Sequence, residues 1–144
     1  MYHYTESGLR NIWLANGYRE IDTPDGIAFA IEDIESLHKA VGRHLLSKKK
    51  LTGTEFRFLR KELGLSQTIA GQYLGVSDQT VAKWEKEGRI SAPAERLMRL
   101  LYEEAKLNSH PKIKELLETI NDLDRSQKGR IRFKQAGGKW RLAA

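Results

Sequence analysis

The chain contains no cysteine, which removes disulfides and thiolate metal ligands at once. Its four histidines, His3, His38, His44 and His110, never gather with carboxylates at ligand spacing, so neither a metal nor any other cofactor is expected. No apolar run approaches the ~18 residues of a membrane span. The opening "MYHYTESGLR" lacks the basic and apolar regions of a secretory signal. The expected location is therefore the cytoplasm, with no membrane partner. No nucleophile–base pair and no phosphate-binding glycine loop occurs, and the serines and aspartates read as caps and turns. No catalytic residue is expected.

What is present is ordinary in amount and uneven in placement. The 144 residues are 40% hydrophobic and 31% charged, enough for one or two small domains with cores of their own. The net charge of +6 favours an acidic partner. Residues 1–47 hold 4 basic and 7 acidic side chains, residues 48–107 hold 12 and 8, and residues 108–144 hold 9 and 4. The basic surplus thus begins at the linker "SKKKLTG", which divides the chain into 1–47, 48–107 and 108–144.

In the first part, Asn16-Gly17 and Pro24-Asp25-Gly26 are turn signals between β-favouring runs. They predict a meander over Asn11–Ala15, Tyr18–Asp22 and Ile27–Ile31, the first of these short and equally readable as irregular chain. Asp33 then caps a helix with Ile34, Leu37, Val41 and Leu45 on one face, expected to cover that sheet. Together they form a small α+β segment.

The middle part reads as four to five helices. Thr52 and Glu55 form an S/T-x-x-E capping box ahead of Phe56, Leu59 and Leu63, and Gly64 ends that helix. Ser66 caps a second helix with Ile69, Tyr73 and Leu74 turned inward, Gly75 makes a corner, and Ser77 caps a third helix. Val81 and Trp84 of the third helix face the core, which sends Asp78, Gln79, Ala82, Lys83 and Lys86 outward. Pro93 suits the first turn of a fourth helix with Leu97, Leu100 and Leu101 on one side.

Counted from Gln67 as the first position, a small residue stands fifth (Gly71), glycine ninth (Gly75), and apolar anchors fifteenth (Val81) and eighteenth (Trp84). This pattern resembles the helix-turn-helix of lambda-repressor-like (Cro/CI, or XRE) regulators, over about Leu51–Leu107. Glycine at 71 in place of the commoner alanine is a small departure that weakens the second helix slightly. "LTGTEFRFLRKELGLSQ" leading into "GVSDQTVAKWEKEGRISAPAERLMRLL" is also similar to the DNA-binding half of MqsA-type antitoxins. That family's front domain binds zinc through cysteines, which this chain lacks.

The resemblance implies double-stranded DNA as partner. Its base-reading positions fall on Gln79, for an adenine, and Lys83, for a guanine, each contact worth about 1–3 kcal/mol of discrimination. Asp78 either accepts from a cytosine or merely complements the helix dipole. Gln67, Thr80, Lys86 and Arg89 are placed for phosphates, and for Lys86 and Arg89 the alternative is a solvated charged face.

In the last part, "HPKIKELLETINDLDR" predicts a helix after Pro111 with Ile113, Leu116, Leu117, Ile120 and Leu123 on its apolar face. That face either completes the monomer's core or pairs two protomers. "RIRFKQAGGKWRLA" alternates apolar and basic residues about Gly137-Gly138, a β-hairpin whose apolar face is expected to join the front meander. Its basic face either touches phosphates or keeps a sheet edge soluble.

The expected fold is mainly α: a lambda-repressor-like domain with a small α+β N-terminal segment and a C-terminal hairpin. The expected function is a sequence-specific transcriptional regulator, a homodimeric repressor on a palindromic operator and an autoregulating antitoxin. A toxin or other protein would then dock on the N-terminal segment. The contrasting reading is a protein-interaction module whose helix-turn-helix no longer reads DNA.

Overall fold

Apolar residues at helical spacing on consecutive segments converge on one core in the structure, a computed structural model that describes residues 1–107, 112–122 and 130–143. The helices are α1 (Ile34–Leu46), α2 (Gly53–Glu62), α3 (Gln67–Leu74), α4 (Asp78–Glu87) and α5 (Ala92–Tyr102), followed by a wider turn at Glu103–Leu107 and by α6 (Lys112–Asp122). Phe56 and Leu59 of α2, Val81 of α4 and Met98 of α5 are fully buried together. Each of these side chains contributes roughly 1.5–3 kcal/mol of hydrophobic stabilisation.

Hydroxyl caps start four helices in a row. Thr52, Ser66, Ser77 and Ser91 accept hydrogen bonds from the backbone N–H groups of Glu55, Ile69, Thr80 and Ala94, at 3.2, 3.1, 3.1 and 3.4 Å. Each cap is worth about 1 kcal/mol. At Thr52 the capping box is complete, because the Thr52 N–H donates back to Glu55 Oε1 at 2.8 Å. Burial raises the Glu55 carboxyl pKa, but hydrogen bonds from the Lys48 ammonium and from Thr52 outweigh it and hold the group below the ordinary carboxylate value.

Two glycines set how closely the helices approach. A Cβ on Gly53 would lie 2.2 Å from the Glu85 carbonyl oxygen and 2.7 Å from that of Trp84, so the start of α2 rests against the backbone of α4. A Cβ on Gly71 would lie 2.6 Å from the Val76 carbonyl oxygen. Glycine there is a requirement of the α3–α4 corner as well as a loss of helix propensity.

Some expected faces shift. In α3, Ala70 and Tyr73 are buried and Leu74 packs at the margin, whereas Ile69 is 38% exposed. In α5, Ala94, Met98, Leu101 and Tyr102 are buried, Leu97 is half-buried, and Leu100 is 50% exposed. The eight-residue α3 is too short for its period to separate adjacent apolar residues. In α5, Tyr102 takes the inner position expected of Leu100.

The front segment differs more. β1 (Tyr2–His3) pairs antiparallel with β2 (Trp13–Leu14), and β3 (Tyr18–Thr23) pairs with β4 (Gly26–Ile31). The expected meander is thus two separate ladders. The Pro24-Asp25-Gly26 turn forms as expected, with Thr23 opposite Gly26. Asn16-Gly17 instead carries the chain from one ladder to the next, and the Glu32 N–H closes the second on the Gly17 carbonyl at 2.8 Å. The strand that takes the expected partner's place is Tyr2–His3, where His3 stacks on Trp13 at 4.1 Å.

Asp33 does cap α1, its carboxylate accepting from the Ser36 N–H at 3.3 Å, but α1 does not cover the sheet. Val41 and Leu45 enter the core formed by the later helices. Arg99 of α5 donates to the Leu46 carbonyl at 2.9 Å and the Tyr102 hydroxyl donates to that of His38 at 3.4 Å, which fixes α1 against α5. The core therefore crosses the linker at residues 48–50.

Beyond residue 107, α6 lies on α3 and α5. The Tyr73 hydroxyl donates to Glu118 Oε1 at 3.2 Å and Leu117 reaches the core, while Leu116 and Ile120 stay exposed. The expected helix start at Pro111, the Ile113 side chain and Leu123 lie outside what is described. β5 (Phe133–Ala136) and β6 (Lys139–Leu142) form the expected hairpin, but as a two-stranded sheet of its own and not joined to the front ladders. No helix among the described residues is long and apolar enough to cross a membrane.

Gly53→Ala is predicted to destabilise the fold by about 1–3 kcal/mol, because the obstructing atoms are backbone; denaturant unfolding measures it, and unchanged stability would contradict the α2–α4 approach. Because its folded-state pKa is lowered, Glu55 adds stability above the ordinary carboxylate range, and this is lost as pH falls through the folded value. Glu55→Gln should therefore flatten the acid limb of a stability–pH curve.

Candidate nucleic-acid interface

α3, the Gly75 corner and α4 present one helix across another. Ser66 and Ser77 fix the two starts, and Gly75, at φ +75°, turns the chain between them. On α4 the inward stripe is Val81 and Glu85, both buried, flanked by Trp84, which packs edge-on against Phe56 at 6.1 Å. On the opposite side, Gln79, Lys83 and Lys86 follow at i, i+4 and i+7 and are all exposed.

Glu85 is the unexpected member of the inward stripe. It forms a two-point ion pair with Arg60 of α2, Nε to Oε2 at 2.6 Å and Nη2 to Oε1 at 2.9 Å, with both side chains buried. The third guanidinium nitrogen, Nη1, donates to the Leu65 carbonyl at 2.8 Å. Gln67 Nε2 donates to Glu85 Oε1 at 3.3 Å, and Arg57 Nε stands 4.0 Å from the same oxygen. One carboxylate therefore ties α2, the α2–α3 turn, the start of α3 and α4 together. No buried side-chain nitrogen or oxygen among the described residues lacks a partner, so the charges are compensated where they lie.

The candidate residues fall into three groups. Gln79, Lys83, Lys86 and Arg89 are exposed, on α4 and in the turn that follows it. Asp78 is exposed at the first position of α4, where its Oδ1 accepts from the Gln79 N–H at 2.9 Å, and Thr80 is half-buried with its hydroxyl 3.0 Å from that of Ser77. Gln67 is half-buried and donates its side-chain amide to Glu85. The ion pair and its ties were not anticipated. A signal existed: Arg60 lies four residues after Phe56 and Glu85 four after Val81, so opposite charges occupy the core stripes of two facing helices.

Among the described residues no group of three or more His, Asp or Glu side chains is placed to hold a metal. What the arrangement offers is a short helix of exposed amide and ammonium groups, rigidly held from behind and narrow enough for a DNA major groove.

These features define a helix-turn-helix domain. The family model described as helix-turn-helix matches residues 56–101, from the first turn of α2 to the end of α5, and this stretch is a domain of the XRE, lambda-repressor-like kind. No curated protein and no solved structure matches the chain.

Removing one member of the ion pair leaves a buried charge alone. Arg60→Met should cost about 3–5 kcal/mol, whereas the double change Arg60→Met with Glu85→Leu should recover most of it. Chemical denaturation of the two variants and the unaltered chain checks this; equal stability of single and double variants would remove the pair from its central place.

Proposed function

We propose that the protein is a sequence-specific DNA-binding transcriptional regulator that reads base edges with α4. The observation that carries this reading is the exposed stripe Gln79, Lys83 and Lys86 on a helix whose opposite face is fixed by Val81 and the Arg60–Glu85 pair. A solvated surface helix needs no such anchoring. An amide and an ammonium four residues apart match acceptor and donor patterns of adjacent base pairs. Lys86, Arg89 and Thr80 position the domain on phosphates, and Asp78 either accepts from a cytosine or supports the start of α4. Gln67, bound to Glu85, couples any phosphate contact it makes to the orientation of α4.

In this reading the regulator acts as a homodimeric repressor on a palindromic operator, since a single short helix reads too few base pairs to be selective in a genome. The exposed Leu116 and Ile120 of α6 supply apolar surface for a second protomer. Control of its own operon, as an antitoxin whose acidic front segment receives a protein partner, is the setting suggested by the sequence resemblance to MqsA-type antitoxins. The domain class is one of DNA-binding regulators, and no catalytic role is proposed.

Selection of duplexes from a random pool, followed by sequencing and a salt titration, tests the assignment. The unaltered chain should enrich a two-fold symmetric site. Gln79→Ala and Lys83→Ala should each relax preference at one position, at about 1–3 kcal/mol. Lys86→Ala should weaken all sequences alike and lower the salt slope by about one. Unchanged preference in the first two variants would sink the base-reading roles.

A further inference from the structure

The β5–β6 hairpin separates its side chains by chemistry. Its register places Phe133 opposite Leu142 and Gln135 opposite Trp140 on one face, and Lys134 opposite Arg141 and Ala136 opposite Lys139 on the other. The Ala143 N–H donates to the Arg132 carbonyl at 2.7 Å, which extends the ladder and adds Arg132 to the second face by alternation. Arg130 is exposed just ahead of it. All of these cations are exposed, and none has an ion pair among the described residues.

Two observations set this face apart from an edge that merely stays soluble. First, the last twenty residues, 125–144, contain seven Lys or Arg and no Asp or Glu, so no local carboxylate neutralises it. Second, Lys134 and Arg141 stand directly across the ladder from one another, where like charges repel. A two-stranded ribbon that places cation against cation is destabilised by itself and stabilised against a polyanion. Alternate residues along a strand advance by roughly 6.6–6.8 Å, so Arg132 and Lys134, or Lys139 and Arg141, are spaced by about two of the ~3.4 Å axial steps between phosphates of one DNA strand.

We infer that the basic face of this hairpin is a second DNA-contacting surface, which grips the phosphate backbone of the duplex that α4 reads. The inference rests on the DNA-reading function proposed above. Its occupant is the double-stranded backbone, recognised by charge and not by sequence. The hairpin thereby adds affinity and salt dependence to a recognition helix that supplies the sequence preference.

The test uses the full chain on the duplex it selects from a random pool. A variant with Arg132, Lys134, Lys139 and Arg141 all changed to Gln should enrich the same site. Its log K against log salt slope should be shallower by about 3.6, from ~0.9 for each of four lost phosphate contacts, and its affinity at low salt at least tenfold weaker. Arg132→Lys with Arg141→Lys should retain the slope, and neutralising Arg19, Lys39 and Arg43 of the front segment should leave it unchanged. The same slope in the four-Gln variant as in the unaltered chain would overturn the inference while leaving α4 as reader. An equal fall in slope on neutralising the front segment would overturn it too, as a bulk charge effect. No enriched site for the unaltered chain would instead remove the DNA-reading function itself.

Discussion

The buried pair between Arg60 and Glu85 is the constraint on which the candidate interface depends. A helix of ten residues, Asp78–Glu87, is too short to be stable by itself and has only Val81 and part of Trp84 as apolar anchors. The two-point guanidinium–carboxylate contact supplies what the apolar stripe lacks, a fixed rotation of α4 about its own axis. That rotation decides whether Gln79, Lys83 and Lys86 face outward together. The Leu65 carbonyl and Gln67 amide bind the same two residues, so the α2–α3 turn and the start of α3 are held by the interaction that aims α4. Gly53 completes the arrangement by letting α2 come within contact of the α4 backbone.

Around this unit the chain distributes charge by position. The front segment is acidic on balance and holds Tyr2, Trp13, Tyr18 and Phe29 in two small ladders. The helix-turn-helix is basic on its outward side, and the last residues carry cations without any carboxylate. α1 belongs to the front segment in sequence and to the central core in packing, because Val41 and Leu45 are buried with Phe56 and Leu59. A partner that engages the front ladders would therefore act on a body packed, through α1 and α5, onto the domain that carries α4.

Much of this was legible in the sequence where local chemistry decides structure. Thr52, Ser66 and Ser77 announce their helices because a hydroxyl needs only the N–H three residues later. Gly75 marks the corner because other residues strain there, and the outward position of Gln79, Lys83 and Lys86 follows from Val81 and Trp84 by helical spacing. What escaped depends on partners distant in sequence. Arg60 and Glu85 are 25 residues apart and look like surface charges until their helices face each other. Tyr2–His3 becomes a strand only through Trp13 and Leu14. Ile69 yields the interior to Ala70 in the eight-residue α3, a choice that hydrophobicity by itself ranks the wrong way.

The most direct measurement is the change in backbone amide NMR signals of the isotope-labelled full chain as duplex DNA is added, first of mixed sequence and then of the site it enriches. The predicted result is a set of changes centred on Asp78–Lys86 and Arg89, larger for the enriched site, with the β3–β4 hairpin unmoved. Changes that leave α4 untouched would contradict the reading of this helix as the part that recognises DNA.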